Sequence, residues 1–328
     1  MRYFLFSMIM MALALVGCSS GRQQNAGEGR LQVEDKQEAK PAADFCADSA
    51  RAFVVEQCAF GPRVPGSEAH RLCGDYLAGK LRQYGASVIE QRMSLTTFDG
   101  TMIPARNIIG EYNPDASRRL LLLAHWDCRP WADNDPDPAR RRDPVPGAND
   151  GASGVAVLLE VARQLAAAKP SIGVDILLVD AEDWGDSGAG NDDTWALGTQ
   201  YWTANPHRPG YRPMYGILLD MVGAGGAVFA REYFSTYYAR GFVDEVWKTA
   251  RAAGYGDYFV DTPGGAVTDD HLFVNRAGIP CIDIIDQTDA TGTGFFRQWH
   301  TTADTPDIID SASLKAVGQT VLNVIYSY

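Results

Sequence analysis

The sequence contains few histidines and none of the compact motifs that usually mark a zinc site. Only five histidines occur in 328 residues. Neither a His-Glu-x-x-His motif nor a Cys-x-x-Cys pair is present, and six cysteines are too few for a disulfide-based scaffold of this length. If the chain binds a metal, its ligands must therefore come from segments that are far apart in the sequence.

Positive charge is also scarce. The chain has 29 Lys and Arg residues against 41 Asp and Glu residues, which gives a formal net charge of −12. Because nucleic acid binding requires a basic surface, this balance argues against a nucleic acid partner. The hydrophobic share of 46% is that of an ordinary globular protein and excludes a wholly disordered chain.

An apolar segment opens the chain after Arg2. Residues 4–16 are too few to cross a bilayer core about 30 Å thick, so residues 1–18 are predicted to be a signal peptide. The segment ends in Leu15-Val16-Gly17-Cys18, which resembles a bacterial lipobox and implies that Cys18 is lipidated. We therefore expect an exported lipoprotein, held by a lipid anchor on the periplasmic side of the inner or outer membrane. A plain secretory signal with a coincidental cysteine is the alternative.

Two further segments follow the signal peptide. Residues 19–43 are polar and lack any hydrophobic period, which predicts a disordered tether. Residues 44–328 show no internal repeat and no second linker, which predicts a single folded catalytic domain. An exported location would permit a disulfide, but the sequence does not pair the remaining cysteines, Cys46, Cys58, Cys73, Cys128 and Cys281.

The apolar pattern of this domain predicts an α/β fold. Short apolar runs of the length of buried strands occur at residues 120–124, 174–179, 217–219 and 279–285. Apolar residues at helical spacing occur in residues 44–60, 70–84, 155–167, 242–253 and 314–326. Strands that alternate with helices predict a mixed, mostly parallel central sheet with helices on both faces.

Acidic residues and histidines lie next to the ends of the predicted strands. They are His125 and Asp127 after the first strand, Asp150 before the following helix, Glu182 and Asp183 after the second strand, Asp220 after the third, Asp269 before the fourth, and His300 near the C-terminus. The carboxyl ends of parallel strands meet at one edge of a sheet, so these side chains should converge. Converging acids repel one another unless a cation neutralises them, and this donor set suits Zn²⁺. Taken singly, each acid could instead be a helix cap or a solvated charge.

Glu182 and Asp183 are adjacent acids. Neighbouring side chains of an extended segment point in different directions, so one carboxylate can bind a metal while the other faces a substrate. The unliganded acid could then transfer protons as a general acid or base. His70 and His207, which lie outside these segments, are predicted to be surface residues.

Together these motifs resemble those of the M28 zinc-peptidase family. The matching segments occur in the order that the family has, over about residues 44–328, and they are His125-x-Asp127, Gly147 to Gly154, Asp180 to Asp183, Asp220, Asp270-His271 and His300-Thr301. Within the family the chain is most similar to the glutaminyl cyclase branch. The resemblance implies the α/β fold of M28 hydrolases.

The resemblance also implies the metal ligands. Asp150, Asp183 and His300 would bind one zinc ion. In the two-zinc aminopeptidases of the family, a second ion would lie on His125, Asp150 and Asp220. All five ligands are present here, so the ligand count does not separate the two branches.

Three features favour the cyclase branch. Asp269 occupies a position where the aminopeptidases usually have a small residue. Trp299 and Phe295 resemble the aromatic substrate wall of the cyclases, and Trp195 is a further candidate for that wall. Asp183 stands in place of the commoner Glu, as in bacterial cyclases.

The cyclase resemblance implies a reaction and a role for each residue. An N-terminal Gln would be converted to pyroglutamate with release of ammonia, so the expected partners are peptides or proteins that begin with Gln. One zinc would polarise the side-chain carbonyl, and Glu182 would move a proton from the attacking amine to the leaving ammonia. Asp269, sharing a proton with Asp220, would hold the leaving nitrogen, and His125 would remain from a second metal site. The alternative is a two-zinc M28 aminopeptidase.

Overall fold

The computed structural model describes residues 42–188, 190–288 and 292–328. The predicted signal peptide with Cys18, and the tether as far as residue 41, lie outside the described residues. Ala42 and Ala43, which the sequence assigns to the tether, contact the folded domain. Ala42 packs on the core, and the carbonyl of Ala43 accepts a hydrogen bond of 3.1 Å from Gln319 Nε2. None of the described helices combines the length and the apolar character needed to cross a bilayer.

The described residues form seven α-helices and eight strands, and helices and strands mostly alternate from β3 onward. The elements are α1 (Ala47–Cys58), α2 (Glu68–Gln83), β1 (Ser87–Thr96), β2 (Met102–Tyr112), β3 (Arg119–His125), α3 (Ala152–Ala167), β4 (Gly173–Val179), α4 (Leu197–Ala204), β5 (Tyr215–Asp220), β6 (Phe229–Arg231), α5 (Tyr233–Ala252), β7 (Phe259–Pro263), α6 (Asp270–Arg276), β8 (Cys281–Ile285) and α7 (Ser311–Ser327). Short 3₁₀ helices occur at Asp192–Thr194 and Pro306–Ile308.

Six strands form the central sheet in the order β1-β2-β4-β3-β5-β8. β2 pairs antiparallel with β1 and β4, whereas the pairs β4–β3, β3–β5 and β5–β8 are parallel. The predicted mixed, mostly parallel sheet is therefore confirmed. The sequence pattern does not predict β1 and β2, because β1 is a half-exposed edge strand and β2 buries polar residues such as Arg106 and Asn107.

Helices cover both faces of this sheet, as predicted. β3 and β4 are buried at every position. Leu120 and Leu122 of β3 join a core formed with α1, α3, α5 and α7, whereas Leu121 and Leu123 pack on the other side with Trp202 of α4. Successive side chains of a strand point to opposite faces, so each strand of the sheet's centre contributes to two cores.

All five predicted helices are present as α1, α2, α3, α5 and α7. α4 and α6 were not predicted, because helices of eight and seven residues are too short to show a clear period. α5 begins at Tyr233, well before the predicted start at residue 242. Ala239 has non-helical angles (φ −138°) inside α5 and interrupts its regular pattern.

The prediction that His70 and His207 are surface residues is wrong. His70 is buried in α2, where its ring stacks on Trp126 at 4.2 Å and its Nε2 lies 2.9 Å from Asp180. The imidazole of His207 is also buried, and its Nδ1 accepts a hydrogen bond of 3.1 Å from Trp202 Nε1. In both cases an aromatic neighbour covers the ring while a polar group satisfies a nitrogen. The five described cysteines are free thiols.

Gly154 allows α3 to approach β5 closely. A Cβ atom at this position would lie 2.1 Å from the carbonyl oxygen of Leu219, a backbone atom that cannot move aside. Because only glycine lacks a Cβ atom, the contact depends on this residue. The approach places Asp150, just before the first turn of α3, beside the end of β5.

We predict that Gly154→Ala destabilises the fold by about 3 kcal/mol, since α3 must move away from β5. Gly79→Ala is the matched control: Gly79 lies in α2, and a Cβ atom there would meet nothing within 4 Å. The control should leave stability unchanged or raise it by about 1 kcal/mol, because alanine favours helix. Urea denaturation of both variants measures this, and equal stabilities would contradict the argument.

Candidate active site

The candidate site lies where the central parallel strands end. His125 is the last residue of β3 and Asp220 is the last residue of β5. Glu182 and Asp183 follow the end of β4, and Asp150 comes just before α3. The fold thus brings together residues that are up to 175 positions apart (His125 and His300).

A cavity of about 270 Å³ opens at this edge of the sheet. Nine of the ten site residues predicted within the domain line it, namely Asp150, Glu182, Asp183, Trp195, Asp220, Asp269, Phe295, Trp299 and His300. The tenth, His125, is buried behind Asp150 and Asp220.

Asp150, Asp183 and His300 form one group of metal-ligand atoms. His300 Nε2 lies 3.2 Å from Asp183 Oδ1 and 3.7 Å from Asp150 Oδ2, and one donor atom of each residue lies within 4.8 Å of the others. Asp183 Oδ2 is buried and has no hydrogen-bond partner among the described residues. A buried carboxylate oxygen without a partner is costly, and a zinc ion held by these oxygen and nitrogen donors would satisfy it.

His125, Asp150 and Asp220 form a second such group. His125 Nε2 lies 3.0 Å from Asp150 Oδ1 and 3.1 Å from Asp220 Oδ1. Asp150 therefore belongs to both groups, as the sequence motifs implied. The geometry retains all five ligands and, like the sequence, does not by itself separate one metal ion from two.

Sequence reasoning missed the acids that orient the two imidazoles. Asp133 Oδ1 lies 3.3 Å from His300 Nδ1, and Asp127 Oδ1 lies 3.4 Å from His125 Nδ1. A carboxylate on the far side of a ligand histidine fixes the ring and raises the basicity of the other nitrogen. Asp127 is part of a sequence motif, but the motif predicts no role for it. Asp133 lies in an Asp-rich loop, whose composition is typical of a solvent-exposed segment.

Asp127 and a further buried acid, Asp304, also fix the backbone that carries the expected ligands. Asp127 accepts hydrogen bonds from the backbone N–H groups of Glu182 (3.1 Å) and Asp183 (3.2 Å). Asp304 accepts hydrogen bonds from the N–H groups of Asn149 (2.8 Å) and Asp150 (3.1 Å). The loops after β4 and before α3 are therefore held by buried carboxylates as well as by the sheet.

Arg129 is a buried cation beside the expected ligands, and no motif in the sequence points to it. Its Nη1 lies 3.3 Å from Asp183 Oδ1, while Nε and Nη2 donate to Asp133 at 2.9 and 2.7 Å. The guanidinium carbon lies 5.0 Å from the ring centroids of both Trp131 and Trp195. Arg129 thereby connects an expected metal ligand to the acid that orients another.

Glu182 is suited to proton transfer. Its carboxyl group borders the cavity and makes no hydrogen bond to another described side chain. Burial raises the pKa of Glu182 well above its usual value, and the carboxylates of Asp269 and Asp183 raise this pKa further, although His125 opposes them. An acid whose pKa is raised in this way can both accept and release a proton near neutral pH.

Asp269 and Asp220 border the same cavity, and the proton that we expect them to share stays a prediction. Asp269 also caps α6, where its Oδ1 accepts a hydrogen bond of 2.5 Å from the backbone N–H of Asp270. Its other neighbours are His271 and Asp283, with donor atoms within 4.8 Å of one another. Asp269 still influences Asp220: burial and then the nearby Asp269 carboxylate raise the pKa of Asp220 to about 7, against the effect of His125.

An aromatic wall closes one side of the cavity. The ring of Trp299 stacks on His300 with centroids 3.8 Å apart, and Phe295 lies 4.5 Å from Trp299. Trp195 lies 6.3 Å from His300. Trp195 depends on Gly185, because a Cβ atom there would lie 2.0 Å from the indole ring.

A buried carboxylate at the start of α5 supports the same wall. Glu232 accepts a hydrogen bond of 3.1 Å from the N–H of Val267, a cavity residue, and its Oε2 lies 3.1 Å from His271 Nε2. It also accepts from the N–H and hydroxyl groups of Ser235. Although burial opposes the shift, the hydrogen bonds from His271 and Ser235 lower the pKa of Glu232 to about 2.

Comparison with known proteins gives a family and close structural neighbours. The model of peptidase family M28 matches residues 107–325. A crystal structure of Bacteroides thetaiotaomicron glutaminyl cyclase bound to N-acetylhistamine is 50% identical, with a TM-score of 0.86, and the match covers 88% of this chain and 100% of that one. A Zn-dependent exopeptidase from Parabacteroides distasonis is 52% identical, with a TM-score of 0.85 and the same coverage. Bos taurus glutaminyl-peptide cyclotransferase is 24% identical over 81% of this chain and 78% of its own length.

We predict that Glu232→Gln destabilises the fold at neutral pH by about 2–4 kcal/mol. The pKa of Glu232 is lowered in the folded state, so its ionised form stabilises the fold above the unfolded value of about 4.3. This stabilisation is lost as the pH falls toward 2.

Urea denaturation at several pH values tests this prediction. The difference between wild type and Glu232→Gln should narrow below about pH 4. Glu68→Gln, an exposed acid in α2, serves as the control and should cause no measurable change. A difference that is independent of pH would show that the carboxylate charge does not matter.

Proposed function

The chain belongs to peptidase family M28, in its glutaminyl cyclase branch, and we propose that it converts the N-terminal Gln of peptides and proteins to pyroglutamate with release of ammonia, using one zinc ion. The observation that carries this proposal is the shared cavity. Glu182 and Asp269 border the same space as the ligand group of Asp150, Asp183 and His300, and Trp299 forms its wall.

The substrate supplies its own nucleophile. Its α-amine attacks the side-chain carbonyl carbon, a five-membered ring closes as the new C–N bond forms, and the bond to the amide nitrogen breaks. A zinc ion on Asp150, Asp183 and His300 would polarise that carbonyl. The apolar faces of Trp299 and Phe295 pack against the Gln side chain and exclude water from it.

Glu182 carries the proton between the two nitrogens. It accepts a proton from the attacking amine and donates it to the leaving nitrogen, which departs as ammonia. Glu182 therefore ends the catalytic cycle in the same protonation state in which it began. Asp269 and Asp220 border the same cavity and can accept hydrogen bonds from the N–H groups of the leaving nitrogen.

The proposal of one zinc rests on what the reaction requires. An aminopeptidase must activate a water molecule, and two metal ions assist that step. Cyclisation needs no water, and a well-oriented intramolecular attack has an effective molarity of about 10⁵ M or more. His125 Nε2 lies within hydrogen-bond distance of both Asp150 and Asp220, so a proton can hold this group together without a second ion.

A two-zinc aminopeptidase is the second candidate, because the group of His125, Asp150 and Asp220 remains complete. We predict about one zinc per purified chain, rapid ammonia release from Gln-Ala, and no hydrolysis of Leu-Ala or Ala-Ala. Elemental analysis and a coupled ammonia assay measure these quantities. Two zinc ions per chain together with rapid hydrolysis of Leu-Ala would establish the second candidate instead.

We predict that Glu182→Gln lowers kcat for Gln-Ala by about 10²–10⁴-fold, because the amide cannot accept the proton of the attacking amine. Zinc content should be retained, since Glu182 is not a ligand. Glu68→Gln, far from the cavity on the exposed face of α2, should have wild-type kcat. Full activity in Glu182→Gln would remove this residue from the mechanism.

We also propose that the enzyme is exported and anchored through Cys18, which the lipobox-like end of the N-terminal segment supports. Wild-type chain expressed in a Gram-negative host should incorporate an alkyne analogue of palmitate. Cys18→Ser should lose the label, whereas Cys46→Ser should keep it. Equal labelling of wild type and Cys18→Ser would contradict the anchor.

A further inference from the structure

A line of side chains leads from the cavity to the protein surface. Trp195 borders the cavity, and the Arg129 guanidinium carbon lies 5.0 Å from its ring centroid. On its other side, Arg129 lies 5.0 Å from the ring of Trp131. The ring of Phe98 lies 6.1 Å from Trp131, edge to face. We call Trp195, Arg129, Trp131 and Phe98 the aromatic strip.

The outer end of the aromatic strip is exposed. Phe98 is 43% exposed, and Met102, across the same turn of the β1–β2 hairpin, is 71% exposed. Trp131 is half-buried and is supported by Trp184, whose ring lies 5.9 Å away. Large apolar side chains grouped on the surface near a substrate cavity are typical of a binding surface.

The strip offers ring faces, not charge. Arg129 is 1% exposed, and Asp133 and Asp183 already neutralise its guanidinium group. Arg129 therefore acts as a flat spacer between two indoles and does not present a cation to a ligand. The exposed rings of Trp131 and Phe98 suit large apolar or aromatic side chains, which pack on such rings favourably.

The length of the strip matches a short stretch of extended peptide. The ring centroids of Trp195 and Trp131 each lie 5.0 Å from the Arg129 guanidinium carbon, so they are at most 10 Å apart. The ring centroid of Phe98 lies a further 6.1 Å from that of Trp131. An extended chain advances about 3.3–3.6 Å per residue. With the first residue beside Trp195, about three steps reach Trp131 and about two more reach Phe98, so the fourth and sixth residues meet these rings. Residues two apart in an extended chain point to the same side, so both side chains can face the strip.

We propose that the aromatic strip binds the fourth and sixth residues of the substrate and favours aromatic or large apolar side chains at these positions. This inference rests on the proposed function, because the cavity must hold the N-terminal Gln. The cyclase would thereby act preferentially on chains with apolar residues at the fourth and sixth positions.

The test compares three substrates, Gln-Ala, Gln-Ala-Ala-Ala-Ala-Ala and Gln-Ala-Ala-Phe-Ala-Phe, by ammonia release. Wild type should show a kcat/KM for Gln-Ala-Ala-Phe-Ala-Phe about 5–10-fold above that for Gln-Ala-Ala-Ala-Ala-Ala, mainly through a lower KM. In Phe98→Ala this ratio should fall to about 2 or less, and in Trp131→Ala to about 1. Tyr237→Ala, which removes an exposed ring of α5 that does not line the cavity, should keep the wild-type ratio.

Two results would overturn the proposal. One is a ratio near 1 in wild type, and the other is a ratio that is unchanged in both Phe98→Ala and Trp131→Ala. If Gln-Ala is cyclised in either case, the strip fails while the proposed function stands. If wild type releases no ammonia from any of the three peptides, the proposed function fails and this inference fails with it.

Discussion

The carboxylate of Asp150 faces both imidazoles of the site, 3.0 Å from His125 Nε2 and 3.7 Å from His300 Nε2. Its place is fixed from two directions. Asp304 accepts a hydrogen bond from its backbone N–H, and Gly154 lets α3 approach β5. The packing of α3 on the sheet therefore also determines the geometry of the expected metal site, because α3 cannot move without moving Asp150.

The site concentrates negative charge that its own cations do not offset. Five acids, Asp150, Glu182, Asp183, Asp220 and Asp269, border a single cavity, with Arg129 as the buried guanidinium beside them. Acids so placed must bind a cation or retain protons. Zinc can neutralise the ligand carboxylates, and the protons retained by the others are of the kind that cyclisation has to move. The clustered negative charge therefore lowers the stability of the folded chain, but it also supplies the groups that the reaction requires.

The sequence predicted this site better than it predicted the site's surroundings. Strand ends are visible as apolar runs, so His125, Glu182 and Asp220 could be placed at one edge before any coordinates. The same reasoning could not place Arg129, Asp133 and Glu232. Each lies in a loop or at the start of a helix, where the sequence pattern of a buried charge does not differ from that of a solvated charge. The role of Asp269 as the cap of α6 could not be predicted either, because a helix of seven residues is too short to show a clear period.

Arg129 forms ion pairs with Asp183 and Asp133, and Asp133 lies next to His300. Asp183 and His300, two expected ligands from distant segments, are thus linked through one guanidinium group, which packs between two indole rings. The conformational entropy lost in assembling the donors is consequently lost when the chain folds, not when the ion arrives. Such a preassembled centre should capture its metal without rearrangement and release it only slowly.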